Sequence, residues 1–156
     1  MRIAITGASG LIGTALTARL KADGHEPIAV VRSAPSDNEI GWSVDEQRID
    51  DGAFDGIDAV VHLAGAGIGD KRWTDEYKKE ILESRTVGTA LVAQAVNEAT
   101  NGPKVLLSGS AIGYYGESLD ATFTETSPVG SGFLAEVCEA WESSAAPAQA
   151  DGTRVA

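Results

Sequence analysis

The first fourteen residues, MRIAITGASGLIGT, constrain the chain more than any other stretch. Ile3-Ala4-Ile5 is a short apolar run that stops at Thr6-Gly7, as a strand does. Glycines follow at Gly7, Gly10 and Gly13. Then Leu11, Ile12, Ala15, Leu16, Arg19 and Leu20 recur at helical spacing. In a strand, glycine turn and helix of this kind, each glycine has its own reason. Gly7 permits a tight turn where a Cβ would clash. Gly10 lets the main chain approach a pyrophosphate, and Gly13 lets the helix pack close to the sheet. The helix's first-turn N–H groups then face the phosphates, aided by the helix dipole. Gly7, Ser9, Gly10, Leu11, Ile12 and Gly13 are therefore the candidate phosphate-binding residues.

The formal net charge of -11 opposes non-specific attraction to nucleic acid or anionic membrane. It also requires that an anionic ligand be held by local cations. Cys138 is the single cysteine, so no internal disulfide forms. No apolar run reaches membrane-span length, and the chain opens on a strand rather than a secretory leader. A cytoplasmic location and one domain over residues 1–156 are the expectations.

The first helix is expected to end near Asp23-Gly24. Pro27 opens Ile28-Ala29-Val30-Val31, a buried strand, and Arg32-Ser33 follow at its C-terminal end. In a doubly wound sheet this is where an adenosine ribose lies. An arginine there suits a 2′-phosphate, by charge-assisted bonds, better than a 2′-hydroxyl. A third strand falls either at Ile40-Gly41-Trp42 or near Arg48-Ile49, with Trp42 and Asp50 both candidates for the adenine wall. Ile57 to Gly65, IDAVVHLAG, reads as a buried strand running into a small-residue turn at Leu63, Ala64 and Gly65. There the backbone can pass close to a cofactor. His62 lies inside the strand and is read as structural. Two histidines and no close ligand grouping oppose a metal site.

Thr74 is the expected N-cap of a helix whose stripe is Tyr77, Ile81, Ser84, Gly88, Leu91, Ala95 and Ala99. Lys71, Arg72 and Arg85 gather positive charge near the expected cleft, suiting an anionic small-molecule substrate. Lys104 to Ser108 is the next parallel strand, and the polar loop GSAIGYYGE leaves its C-terminal edge. Ser131 is the expected cap of a helix carrying Phe133, Val137, Cys138 and Trp141. Thr153 to Ala156 reads as a sixth strand just starting.

TGASGLIG, spaced GxxGxxG, resembles the signature of short-chain dehydrogenases/reductases, and more closely their extended, epimerase-like branch. HLAG resembles an element of the same branch. GAGIGDKRWT, ESRTVGT and SGSAIGYYGE resemble an atypical subgroup labelled NAD-dependent or sugar-nucleotide epimerases. The resemblance implies an α/β fold with a Rossmann-type doubly wound parallel sheet. It implies a bound NADP(H) or NAD(H), with Arg32 favouring NADP(H). The cofactor-binding set becomes the glycine-loop residues above with Arg32, Leu63, Ala64, Gly65, Arg85 and Ser108.

The superfamily's acid–base pair is Tyr-x-x-x-Lys, in which the lysine's charge lowers the phenol's pKa. Counted from Tyr115-Gly116, those positions fall on Phe133 and Val137. The usual serine falls on Ala111 and the usual asparagine on Arg85. Neither Phe133 nor Val137 can move a proton. Ser110, Tyr114 and Tyr115 are then the catalytic candidates, with Arg85 or Lys71 replacing the lost charge. The other reading is a non-catalytic NADP(H)-binding module. Extended members carry a C-terminal substrate region of comparable size. On that basis either residues 1–156 are the N-terminal part of a longer chain, the main expectation, or a partner supplies the rest, with an unpaired sheet edge at Lys104–Ser108. Homodimers are common in such families.

Overall fold

The computed structural model describes residues 1–149 and 152–156. The elements alternate: β1 (Arg2–Thr6), α1 (Leu11–Ala22), β2 (Glu26–Val31), β3 (Glu39–Ser43), β4 (Arg48–Ile49), β5 (Ala59–His62), α2 (Asp75–Glu98), β6 (Val105–Ser108), α3 (Phe133–Ala145) and β7 (Arg154–Val155). A short 3-10 turn at Ile112–Tyr115 follows β6. The strands form one sheet in the order β4-β3-β2-β1-β5-β6-β7. Every pairing is parallel except β3 with β4. Apart from that antiparallel edge, this is the doubly wound Rossmann arrangement.

Side-chain alternation along each strand sorts the core into two layers. Ile3 and Ile5 of β1, with Ala59 and Val61 of β5, face α1 and meet Leu16 and Leu20. Ala4, Ile28, Val30, Val60 and Leu106 face the other way. They pack on Val92, Ala93, Ala95 and Val96 of α2 and on Ala145 at the end of α3. Helix α1 ends as a Schellman motif. The His25 N–H donates to Leu20 O and the Gly24 N–H to Lys21 O, with Gly24 at φ +79°. Pro27 is tolerated in β2 because β3 pairs only from Ala29 onward, so no neighbour needs its missing N–H.

Several expectations change. The two third-strand candidates are both strands, joined by a tight turn into a hairpin. The edge at Lys104–Ser108 is not left unpaired: β7 joins Val105 and Leu106. Gly132, at φ +96°, occupies the N-cap of α3 in place of Ser131 and makes no side-chain cap. On α2 the wholly buried residues include Thr89, Val92, Ala93 and Val96, whereas Ser84, Leu91 and Ala99 are only partly covered. A helix wedged between a sheet and α3 buries two stripes rather than one. Thr74 caps α2 as expected, accepting from the Tyr77 N–H.

Candidate functional site

Sheet register gathers the candidate residues. Thr6 pairs with Val30 on one side and with His62 on the other, and His62 pairs with Ser108. The segments after β1, β2, β5 and β6 therefore leave the sheet at one edge. The strand order reverses at β1, opening the crevice where ligands of such sheets bind.

The glycine turn is built on three different constraints. Gly7 has φ +67°, and a Cβ there would lie 3.0–3.1 Å from the backbone of Leu63 and Ala64. Gly13 is tighter: its Cβ would stand 2.2 Å from Gly7 O and 2.7 Å from Ala8 Cα. The helix is thus pressed against its own turn, rather than against the sheet as expected. Gly10 is different. It has ordinary extended angles (φ -74°, ψ 175°), and a Cβ would meet only Gly7 O, at 3.3 Å. As N-cap it offers no side chain, and the Leu11, Ile12 and Gly13 N–H groups have no acceptor among the described residues. Three free donors at a helix N-terminus, with open space before them, fit a pyrophosphate. Leu11 and Ile12 do not join the core as the helical spacing implies; they are 92% and 66% exposed beside this turn, with exposed Ser9.

Thr6, which the sequence did not single out, ties the turn to β5. Its Oγ1 accepts from the Leu63 N–H (3.0 Å) and the Ala64 N–H (3.2 Å). With both lone pairs used, its proton goes to His62 Nδ1, 2.8 Å away. That assigns the His62 proton to Nε2, which is buried without a partner. The only hint in the sequence was a polar residue closing an apolar strand. Burial lowers the His62 pKa from 6.5 to about 4. Folded His62 therefore stays neutral while the unfolded chain takes up a proton. Its contribution is present above pH ~6.5 and is lost as pH falls toward ~4, by ~3 kcal/mol. Urea unfolding of wild type and His62→Asn at pH 7 and pH 4 checks this: the acid loss is expected to be ~3 kcal/mol smaller in the variant.

Beyond the ends of β2 and β3 a cleft of about 190 Å³ is lined by Arg32, Ser33, Trp42, Arg48 and Asp50, among others. Arg32 is exposed and has no ion pair among the described residues. Asp50 Oδ2 accepts from the Gly41 N–H at 2.6 Å, and Trp42, 4% exposed, packs edge-on to His62.

Across β5 and β6 the arrangement departs further from expectation. Arg85 is half-buried, Nη1 donating to Ala66 O and Ile81 O (3.0 Å each), with its guanidinium over the Trp141 ring. Desolvation lowers its pKa, and the guanidinium touches the space beside Gly65. Lys71 is exposed and paired with Glu80 at 3.1 Å, away from the free positive cluster expected of it. Ser108 Oγ donates to Gly109 O at 3.3 Å. Ser110 Oγ donates to Glu142 Oε1 at 2.5 Å, a partner 32 residues away that no spacing announced. A cleft of about 420 Å³ is lined by Ser110, Tyr114, Tyr115, Glu125 and Glu142. Tyr114 packs edge-to-face on Tyr115, which stacks on Phe123. Phe133 and Val137 sit in an apolar cluster with Tyr77 and Ile81, so that helix face carries no proton-transfer group. Among the described residues no group of three His, Cys, Asp or Glu is placed to hold a metal, and no helix is long and apolar enough to cross a membrane.

The NAD dependent epimerase/dehydratase family model matches residues 3–133. An epimerase family protein of Mycobacterium leprae is 40% identical over 154 residues, covering 98% of this chain and 50% of that protein. The human epimerase family protein SDR39U1 is 37% identical over 160 residues, covering 99% of this chain and 52% of that protein. Among solved structures, a nucleoside-diphosphate sugar epimerase of Corynebacterium glutamicum superposes with TM-score 0.87 at 41% identity, covering 99% of this chain and 32% of that one. Human SDR39U1, solved with NADPH, gives TM-score 0.81 at 37% identity, covering 93% of this chain and 48% of that one. The chain spans about half the length of the curated relatives it matches. By these matches and by its fold, the chain belongs to the NAD dependent epimerase/dehydratase family.

Proposed function

We propose that residues 1–156 form an NADP(H)-binding domain of an epimerase- or oxidoreductase-type protein acting on a small, anionic molecule. The observation that carries this reading is the open N-terminus of α1, where Gly10 leaves three backbone donors free. The Leu11, Ile12 and Gly13 N–H groups would hold the pyrophosphate. Leu63, Ala64 and Gly65, held by Thr6, form the strip along which the dinucleotide runs. Arg32 meets the 2′-phosphate, and SDR39U1 having been solved with NADPH supports that choice. Bound NADP(H) supplies hydride exchange at its nicotinamide. Among this chain's side chains, Ser110, Tyr114 and Tyr115 line the cleft after β6 and are the proton-transfer candidates. Arg85 shapes the edge beside Gly65 and supplies the positive charge facing an anionic substrate.

A second reading, a non-catalytic NADP(H)-binding module, is favoured by one observation. Phe133 and Val137 fill the acid–base positions implied by the family resemblance with apolar packing.

The cofactor assignment, common to both readings, is tested by Arg32→Ala. Loss of a charge-assisted pair to the 2′-phosphate weakens NADPH by about tenfold to a hundredfold and leaves NADH unchanged. Equal loss for both cofactors, or for neither, contradicts the assignment. Fluorescence titration of the reduced nicotinamide reads both.

A further inference from the structure

A second arginine lines the same cleft as Arg32. Arg48 opens β4 and pairs with Ser43, the last residue of β3. β3 runs parallel to β2, with Gly41 beside Val31, so its C-terminal end lies at the edge where Arg32 leaves the sheet. The hairpin turn thus returns Arg48 to that same edge, and both arginines line the cleft of about 190 Å³.

The Arg48 guanidinium is already occupied. Its Nη2 and Nε donate to Glu46 Oε2 at 3.2 and 3.3 Å, and Nη1 lies 3.7 Å from Asp50 Oδ1. The Glu46 pair is exposed on both sides, 60% for Arg48 and 66% for Glu46. Exposed pairs of this kind are weak and compete with water. A ribose 2′-phosphate carries more charge and more acceptors than a carboxylate, and a guanidinium binds it in fork geometry. Asp50 cannot swing aside so easily, because its other oxygen holds the Gly41 N–H at 2.6 Å. Among the described residues the Glu46 side chain has no partner but Arg48, so it is the member free to give way.

We infer that Arg48 and Arg32 close together on the ribose 2′-phosphate, and that Glu46 is the resident anion the phosphate displaces. This rests on the NADP(H) reading above and extends it to a specificity residue. A bare 2′-hydroxyl brings no charge to displace Glu46, so the competition acts on the phosphorylated cofactor alone: Arg48 carries the discrimination and Glu46 moderates it.

The test uses 2′,5′-ADP, which carries the phosphate without a nicotinamide, beside 5′-AMP, NADPH and NADH. Calorimetric affinities are measured for wild type, Arg48→Ala and Glu46→Gln, with circular dichroism as the check on folding. Arg48→Ala is expected to weaken NADPH and 2′,5′-ADP about tenfold. Glu46→Gln is expected to tighten both about threefold, because the competing carboxylate is gone. Neither change moves NADH or 5′-AMP. Wild type that binds NADPH, with Arg48→Ala unchanged or losing NADH equally, overturns the inference and leaves the cofactor reading standing. So does a Glu46→Gln variant that weakens NADPH. Wild type that binds none of the four overturns both.

Discussion

Replacing Gly10 by valine is expected to leave a folded chain that has lost its dinucleotide. The backbone at Gly10 is extended, so valine meets no conformational penalty there. Its Cβ approaches a single atom, Gly7 O at 3.3 Å, which a shift of a few tenths of an ångström relieves. The rest of the side chain projects into the space in front of the Leu11, Ile12 and Gly13 N–H groups. Helix stability changes by ~1 kcal/mol or less, the difference between N-cap residues. Binding loses charge-assisted bonds worth roughly 1.5–3 kcal/mol each, so affinity falls by more than about a hundredfold. A thermal melt near wild type together with absent NADPH fluorescence enhancement is the predicted pair of results. Unchanged affinity contradicts the pyrophosphate assignment.

Gly13→Ala is expected to fail in the opposite way, three residues further on. One methyl group would stand 2.2 Å from Gly7 O and within 3 Å of two Ala8 backbone atoms. None of these is the end of a flexible side chain, so the turn itself must move. Alanine gains ~1 kcal/mol over glycine in helix propensity. Overpacking against backbone costs ~3 kcal/mol or more, which outweighs it. That is a substantial share of the roughly 5–15 kcal/mol by which an ordinary domain is stable. Urea unfolding at pH 7 measures it: a fall of ~2–3 kcal/mol is predicted, and a stabilised variant contradicts the tight contact between helix and turn.

The contrast between these glycines shows where sequence reading works. The GxxGxxG spacing located the turn, and apolar runs bounded by Gly and Pro located β1, β2, β5 and β6, because a parallel strand covered on both faces carries its own signal. It named the sheet as the neighbour of Gly13, whereas Gly13 meets Gly7 and Ala8 once the helix is in place. Arg48-Ile49 and Ile40-Gly41-Trp42 were legible as alternatives and not as partners: a two-residue strand has no period. Leu11 and Ile12 followed the helical pattern yet lie outside the core, because the first turn of α1 rises past the sheet edge. Long-range partners left no trace in spacing. Thr6 with His62 and Ser110 with Glu142 are joined by register and helix packing, not by proximity along the chain. The absence of Tyr and Lys from α3 was visible at Phe133 and Val137. That these two fill a buried cluster with Tyr77 and Ile81 was not.

The central claim is that the edge formed by β1, β2 and β5 is a dinucleotide site. The most direct test is a titration of wild-type protein with NADPH, followed by reduced-nicotinamide fluorescence, with Gly10→Val run alongside. Saturable binding by wild type and none by the folded variant is the result this structure predicts. A wild-type chain that is folded by circular dichroism and binds neither NADPH nor NADH would contradict it.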